Sequence, residues 1–345
     1  MKKKKVTIKH LARKLNVSVS TVSRALRDAP DVKPETKKAV LELVEELNYK
    51  RSFLARSLVS KRTYNVGVIV PDIAVPFFGN AIAGMQEYLH QQGYNLIICS
   101  SNEEFEKEKK NVELLLDHQV DGLMISLSTQ TKDYTHLEYA RDEGLPVVLF
   151  DRVLPGQQDN FPKVLVDDQS GAYKAIRHLL ERGYRKIAHI SGPEHLVISR
   201  QRTAGYKTAL ENAGIALTPG YLLHFDMEGQ VGELVDNLLA LPDPPDAIFA
   251  INDPVAFAIM HHLLSKGVRI PEEMGIVGFT GGPMSKLYYP SLSSVRQPSR
   301  AMGKSAAKML LKEIESPSSE TGSKPKIRII PTELEVGQSS QRSKV

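Results

Sequence analysis

The chain has 345 residues and one cysteine, which is too long for one compact core and leaves no intrachain disulfide framework. Its N-terminal lysines are followed by no apolar stretch and no apolar run approaches the roughly 18 residues of a membrane helix, so neither a signal peptide nor a span is read and the expected location is cytoplasmic. Charge is uneven: residues 1–62 hold 17 Lys and Arg against 6 Asp and Glu, a balance of +11 that leaves −6 on the rest, and a basic end on an acidic body is the footprint of a nucleic-acid binder.

Thr7 is placed to cap a first helix in which Ile8, Leu11, Ala12 and Leu15 fall at the i, i+3, i+4, i+7 spacing of one apolar stripe. Ala12 is small enough to let a second helix cross closely, as a helix-turn-helix requires, and residues 16–18 supply the turn. In the second helix Val22 and Leu26 point inward, while Val19, Ser20, Thr21, Ser23 and Arg24 project outward. Short polar groups reach phosphates and base edges, and an Arg grips a phosphate or a guanine. A third helix from Pro34 to about residue 48 carries Ala39, Val40, Leu43, Val44 and Leu47 on one face and closes a three-helix core. Spacing alone suits any small helical hairpin. A solvated tail accounts for Lys2 to Lys5, but not for Arg13, Lys14, Arg24, Arg27, Lys37 and Lys38 within the helical pattern.

Residues 50–62 place Leu54 and Leu58 one helical turn apart among Arg51, Arg56, Lys61 and Arg62, a segment too short to be a stable helix by itself. A basic linker is the plain alternative. From Tyr64 onward, short apolar runs alternate with amphipathic helices, the pattern of doubly wound parallel sheets. Strands are predicted at 65–70, 95–100, 122–126 and 146–150, then at 163–166, 186–191, 222–225, 247–250 and 275–279. Two such series imply two similar α/β lobes after an all-α helix-turn-helix head. A helix at 299–315 and a strand near 327–331 follow, so the chain crosses between lobes more than once. The resulting division is a head at 1–49, a linker or hinge at 50–62 and a body at 63–337. Its first lobe takes 63–162 with 298–325, its second 163–292 with 326–337, and a polar tail fills 338–345. That tail has no heptad stripe, so a dimer is the default assembly.

In open parallel sheets the ligand sits beyond the carboxyl ends of the strands. This rule selects Asp72, Ser100, Ser126, Asp151, Arg152, Asn252, Asp253 and Thr280, with Phe77 and Phe78 as an aromatic platform, a set suited to a small polar metabolite. Helix capping remains open for Asp72 and Asp253, and core packing for either ring. No glycine-rich dinucleotide or phosphate loop and no nucleophile elbow is present. His261 and His262 are adjacent on a helix and point apart, and Cys99, in an apolar strand run, has no ligand partner nearby, so no metal or cofactor is expected. An enzyme on a doubly wound fold and a sugar-binding transport protein remain as alternatives, the second opposed by the basic head.

Thr7-Ile8-Lys9, Ala12, the 17–26 run, Val32 with Pro34-Glu35-Thr36, Leu47-Asn48-Tyr49 and Ala55-Arg56-Ser57-Leu58 together resemble the head and hinge of the LacI/GalR family of bacterial transcription regulators. The resemblance runs on to about residue 337. It implies a periplasmic-binding-protein-like body and a homodimer on a pseudo-palindromic operator, with DNA contacts from Thr7, Ser18, Val19, Ser20, Thr21, Ser23, Arg24, Thr36, Tyr49, Ser52, Ala55, Arg56 and Leu58. In the hinge, Leu58 is the implied minor-groove wedge. It also implies a small-molecule effector of carbohydrate type, contacted by Val75, Phe77, Phe78, Asp151, Arg152, Arg202, Asn252, Thr280 and Gln297; Arg202 precedes the Thr203-Ala204-Gly205-Tyr206 motif. His10, Lys33 and Arg51-Ser52 depart from the family pattern in the head and hinge. In the body Val75 replaces an Asn, and Thr280-Gly281-Gly282 replaces the usual Asp. Loss of that carboxylate points away from a simple free hexose.

Overall fold

A computed structural model describes residues 6–26, 28–47, 49, 62–156, 161–225, 230–316 and 326–342. The chain forms two compact units, Met1–Tyr64 and Asn65–Val345. In the first, α1 (Ile8–Lys14), α2 (Val19–Ala25) and α3 (Pro34–Glu46) enclose Leu11, Ala12, Val22, Ala25, Val32, Val40 and Leu43. Asn16 takes the left-handed backbone at φ 49°, which Asn tolerates better than most residues, and so makes the turn between α1 and α2. Ser18 caps α2, its Oγ accepting from the Thr21 N–H at 3.0 Å. Thr7 stands at the start of α1 but makes no side-chain cap; its carbonyl accepts from the His10 and Leu11 N–H groups instead. Pro34 opens α3, where a missing N–H costs nothing, and the helix ends two residues short of the predicted boundary.

Among the described residues the second unit holds two six-stranded sheets. The first is built from β1 (Asn65–Val70), β2 (Asn95–Ser100), β3 (Gly122–Ile125), β4 (Val147–Phe150), β5 (Lys163–Val166) and β11 (Ile327–Ile330), all parallel, in the order β11-β5-β4-β3-β1-β2. The second is built from β6 (Ile187–Ser191), β7 (Leu222–His224), β8 (Ala247–Ala250), β9 (Gly275–Thr280), β10 (Ser293–Arg296) and β12 (Glu333–Glu335), in the order β12-β10-β9-β8-β6-β7, with β12 antiparallel. Helices α4 (Pro76–Gln91), α5 (Phe105–Asp117), α6 (Thr135–Asp142) and α12 (Ser299–Glu315) belong to the first sheet. The second sheet has α7 (Asp168–Glu181), α8 (Val197–Asn212), α9 (Val231–Leu239), α10 (Asp253–Ser265) and the short α11 (Met284–Leu287). Parallel strands buried on both faces account for near-continuous apolar runs such as Val66 to Val70 and Ala247 to Ile251.

The predicted lobe boundaries are corrected at three places. Residues 163–166 were expected to open the second lobe, yet β5 pairs with β4 (Phe150 opposite Val164) in the first sheet. Residues 327–330 were expected with the second lobe, yet β11 pairs with β5. A four-residue apolar run does not announce which sheet edge it fills; here both edges of β5 are taken within the first sheet, where the Asp151 N–H donates to Val164 and the Lys163 N–H to Lys326. Finally, Gln338–Ser340, placed in a polar tail, form a 3-10 turn in which Ser339 and Ser340 are fully buried. The Ser339 Oγ donates to the Ile276 carbonyl and Ser340 pairs with Ser293 and His178, so hydroxyls substitute for apolar packing there. Strands β10 and β12 were not foreseen.

Helix α12 returns to the first lobe because it can approach α4 backbone to backbone. A Cβ on Gly303 would stand 1.9 Å from the Ala81 carbonyl oxygen, and one on Gly84 2.1 Å from that of Arg300. With the helices this close, the buried Met302, Ala306, Ala307 and Leu310 fill the layer between α12 and the first lobe.

Candidate functional site

In the head, the outward face of α2 presents Val19 (41% exposed), Ser20 and Arg24, with Thr21 and Ser23 half-buried beside them. Ser18 is committed locally, its Oγ lying 2.7 Å from the Ser20 and 2.8 Å from the Thr21 hydroxyl. The Arg24 guanidinium pairs with Asp31 at 2.7 Å, both groups half-exposed. Such a pair is weak in water and yields readily to a phosphate. Thr7 is exposed and Thr36 half-buried. Tyr49, counted among the DNA contacts, is 9% exposed and packs with the head's apolar core, so it supports the head more than it reaches out of it. Ser52, Ala55, Arg56 and Leu58 lie outside the described residues.

In the second unit, strand ends from both sheets converge on a cavity of about 270 Å³. All nine residues singled out for the effector line it: Val75, Phe77, Phe78, Asp151, Arg152, Arg202, Asn252, Thr280 and Gln297. Val75 and the two Phe side chains are delivered by the first turn of α4, where Asp72 makes a local turn by accepting from the Ala74 N–H rather than capping the helix. The Phe77 and Phe78 rings meet edge to face at 5.2 Å. Both rings are more than nine-tenths buried, so each serves the core as well as the cavity. Ser100, by contrast, bonds the Pro71 carbonyl and Asn102 and does not line the cavity.

Asp151 follows β4 with a positive φ of 60°, uncommon for a residue with a side chain and often kept where function over-determines it. Its carboxylate receives a long 3.5 Å contact from the Ser126 hydroxyl, and burial pushes its pKa up against the pull of Arg152 and Arg202. Neighbouring Arg152 is clamped by Glu103, with Nη1 at 2.8 and 2.7 Å from the two carboxylate oxygens. From the second sheet Arg202 enters on α8. Its Nε and Nη2 lie 2.8 and 2.7 Å from Asp168 Oδ1, its Nη1 donates to the Ile251 carbonyl, and its guanidinium carbon lies 3.7 Å from the Phe279 ring centroid. Gly205 permits this placement: a Cβ there would stand 2.2 Å from the Gln169 carbonyl oxygen on α7.

Asn252 caps α10, its Oδ1 accepting from the Val255 N–H at 2.9 Å. Asp253 pins the loop after β9, accepting from the Gly281 and Gly282 N–H groups and the Ser294 hydroxyl. Thr280 turns its hydroxyl onto its own strand, toward the Phe279 carbonyl. Gln297 is the exception among these satisfied groups. It is 7% exposed, and its Nε2 has no hydrogen-bond partner among the described residues. An amide left without a partner in a buried wall costs free energy unless something in the cavity accepts its proton.

Sequence reasoning missed Asp168 and Glu103, the carboxylates behind the two arginines, and the apolar wall of Ile198, Phe257 and Met284. The strand-end rule applied to β5 leads to Asp168, whereas Glu103 carries no such signal. Among the described residues no group of three or more His, Cys, Asp or Glu could hold a metal ion, and no helix is long and apolar enough to cross a membrane.

Two domain families match the chain in this arrangement. Residues 7–52 match the "Bacterial regulatory proteins, lacI family" and residues 63–335 the "Periplasmic binding proteins and sugar binding domain of LacI family". The chain belongs to the LacI family. Among related LacI-family proteins, catabolite control protein A of Priestia megaterium is 34% identical over 309 residues, 89% of this chain and 92% of that protein. The ribose operon repressor of Halalkalibacterium halodurans is 35% identical over 317 residues, 91% and 92% of the two. A solved complex of the transcriptional regulator CelR with cellobiose is 27% identical, with a TM-score of 0.71, and covers 97% of this chain and 99% of that one. As a LacI-family member the chain is a DNA-binding transcription regulator with an effector-binding body.

Proposed function

We propose that the chain is a repressor that binds a pseudo-palindromic operator as a homodimer and changes its operator affinity when a small polar metabolite of carbohydrate type enters the cavity. The head (1–49) reads the major groove through α2, the hinge (50–62) meets the central minor groove, and the cavity acts as the switch. A ligand shifts such an equilibrium only by its differential affinity for the two states, so it must touch both lobes. Residues of both sheets stand in the cavity wall, which meets that requirement. The observation that carries the reading is the buried Gln297 amide, without a partner among the described residues, in the wall of the cavity that the weakly bonded Asp151 carboxylate also lines. One offers a proton and the other accepts one, as hydroxyl groups require. The reading treats the cavity as a binding site and not a catalytic one, since Asp168, Asp253 and both arginines are already engaged.

The test is a thermal-shift titration of the full chain with sugars, sugar phosphates, sugar acids and nucleobases, repeated as operator binding. A ligand at about 100 times its Kd adds about 2.7 kcal/mol to the folded state, which is easily seen. The expected result is a hit that alters operator affinity and is largely lost in Gln297→Ala. A panel without a hit, on protein that binds its operator, overturns the reading.

A further inference from the structure

We propose that the cavity selects an uncharged, hydroxyl-rich ligand over its phosphorylated or carboxylated counterpart, and that Asp168 and Glu103 set this selection by neutralising the two guanidinium groups in its wall. The inference rests on the effector reading above and adds the ligand's charge.

An Arg in a ligand cavity is ordinarily the group that recruits phosphate or carboxylate, through a bidentate fork. In Arg202 that fork is filled, and in Arg152 a carboxylate already holds Nη1 and offsets the charge. Arg202 spends Nε and Nη2 on Asp168 and Nη1 on the Ile251 carbonyl, and its face lies on Phe279. Arg152 spends Nη1 on both oxygens of Glu103, and its guanidinium carbon lies 5.8 Å from the Phe78 ring centroid. The charges then do not favour an anion. Among the described residues four charged side chains line the cavity, Asp151, Arg152, Arg202 and Asp253, and the carboxylates of Asp168 and Glu103 pair with the two cations. Four acids against two bases leave the site acidic when ionised. A phosphate dianion entering it exchanges hydration for a wall of Phe77, Phe78, Ile198, Phe257 and Met284 and a like-signed field. A polyol meets the same wall with its C–H face and directs hydroxyls to Asp151 and Gln297.

Asp168 is the stronger determinant because it is the more enclosed. It is 2% exposed and holds the Arg202 fork from one side, whereas Glu103 is partly open to solvent. It acts on the ligand through Arg202, as a positioning and charge-balancing residue. Asp168→Asn keeps an oxygen acceptor for Arg202 but removes the balancing charge. Glu103→Gln does the same at the more open Arg152 pair and gives a second variant that does not disturb the buried core.

Wild type and both variants are titrated by calorimetry and thermal shift with matched probes: D-glucose and glucose 6-phosphate, D-ribose and ribose 5-phosphate, cellobiose and cellobionate. Operator binding without ligand verifies that each variant is folded. The expected result is that wild type binds at least one neutral member and prefers it at least tenfold over its anionic partner, and that Asp168→Asn moves that ratio at least tenfold toward the anion, Glu103→Gln less. An anion that binds wild type as tightly as its neutral partner overturns the inference and leaves the effector reading standing. So does an unchanged ratio in both variants. If no member binds wild type while operator binding is intact, the effector reading falls and this inference falls with it.

Discussion

Replacing Asp168 by Asn isolates the cost of burying a carboxylate in the cavity wall, through the pH dependence of stability. The Asp168 carboxyl is pushed up from 3.8 to about 6, chiefly by burial, with Arg202 pulling the other way. A shift of about two units at roughly 1.36 kcal/mol each is about 3 kcal/mol. The sign follows from linkage: between about pH 4 and 6 the folded chain holds a proton that the unfolded chain has already released, so this group's contribution falls as pH rises through that window and is level above it. Asp168→Asn has no proton to lose. Its stability relative to wild type therefore rises by up to about 3 kcal/mol from pH 4 to pH 7, whatever constant offset the substitution carries. Urea denaturation of both proteins at half-unit pH steps measures the difference and cancels the groups they share. A flat difference refutes the reasoning. A difference of opposite slope does so more decisively, because it makes the guanidinium outweigh burial and turns Asp168 into an ordinary ion-paired acid.

Gly303→Ala forces a methyl to within 1.9 Å of the Ala81 carbonyl oxygen, and because that neighbour is backbone, α4 and α12 must separate. A loss of about 1–3 kcal/mol is expected in thermal or urea unfolding, as for other overpacked cores, and wild-type stability would show the two helices able to part freely. In the head, Arg24→Ala should weaken binding to all operator sequences and lower the salt slope by about 1, whereas Ser20→Ala should change sequence preference at one position. Fluorescence anisotropy over a salt series separates the two, and an unchanged slope for Arg24→Ala would leave that residue bonded to Asp31 when DNA is bound.

Most of the architecture was legible because parallel strands buried on both faces announce themselves as apolar runs. The predicted 65–70 and 95–100 strands coincide with β1 and β2, and those at 247–250 and 275–279 with β8 and, but for its last residue, β9. The elements that escaped are those whose pairing is made by polar groups. In β10 the Ser293 and Ser294 side chains bond to Ser340 and to Asp253, and β12 is three residues long. An apolar-run criterion is blind to both. Residues 163–166 show the complementary failure, a visible strand assigned to the wrong lobe because periodicity reports burial and not neighbours.

The site divides along the same line. Residues at strand ends were legible in part by position, since the carboxyl ends of parallel strands open on one cleft whatever the ligand: Asp151, Arg152, Asn252, Asp253 and Thr280 line the cavity and Asp72, Ser100 and Ser126 do not, while Val75, Arg202 and Gln297 came from the family resemblance. What position could not convey is how much of each side chain is left over once the protein has satisfied itself. Arg202 looks like a ligand grip in sequence, yet in the structure its fork is filled by Asp168, thirty-four positions away. Asn252 spends its oxygen on a helix cap and Thr280 its hydroxyl on its own strand, while Gln297 keeps an amide without a partner among the described residues. The specificity of such a cleft lies in these remainders. Replacing the carboxylate behind an arginine therefore changes what the arginine can bind, although the arginine itself is untouched.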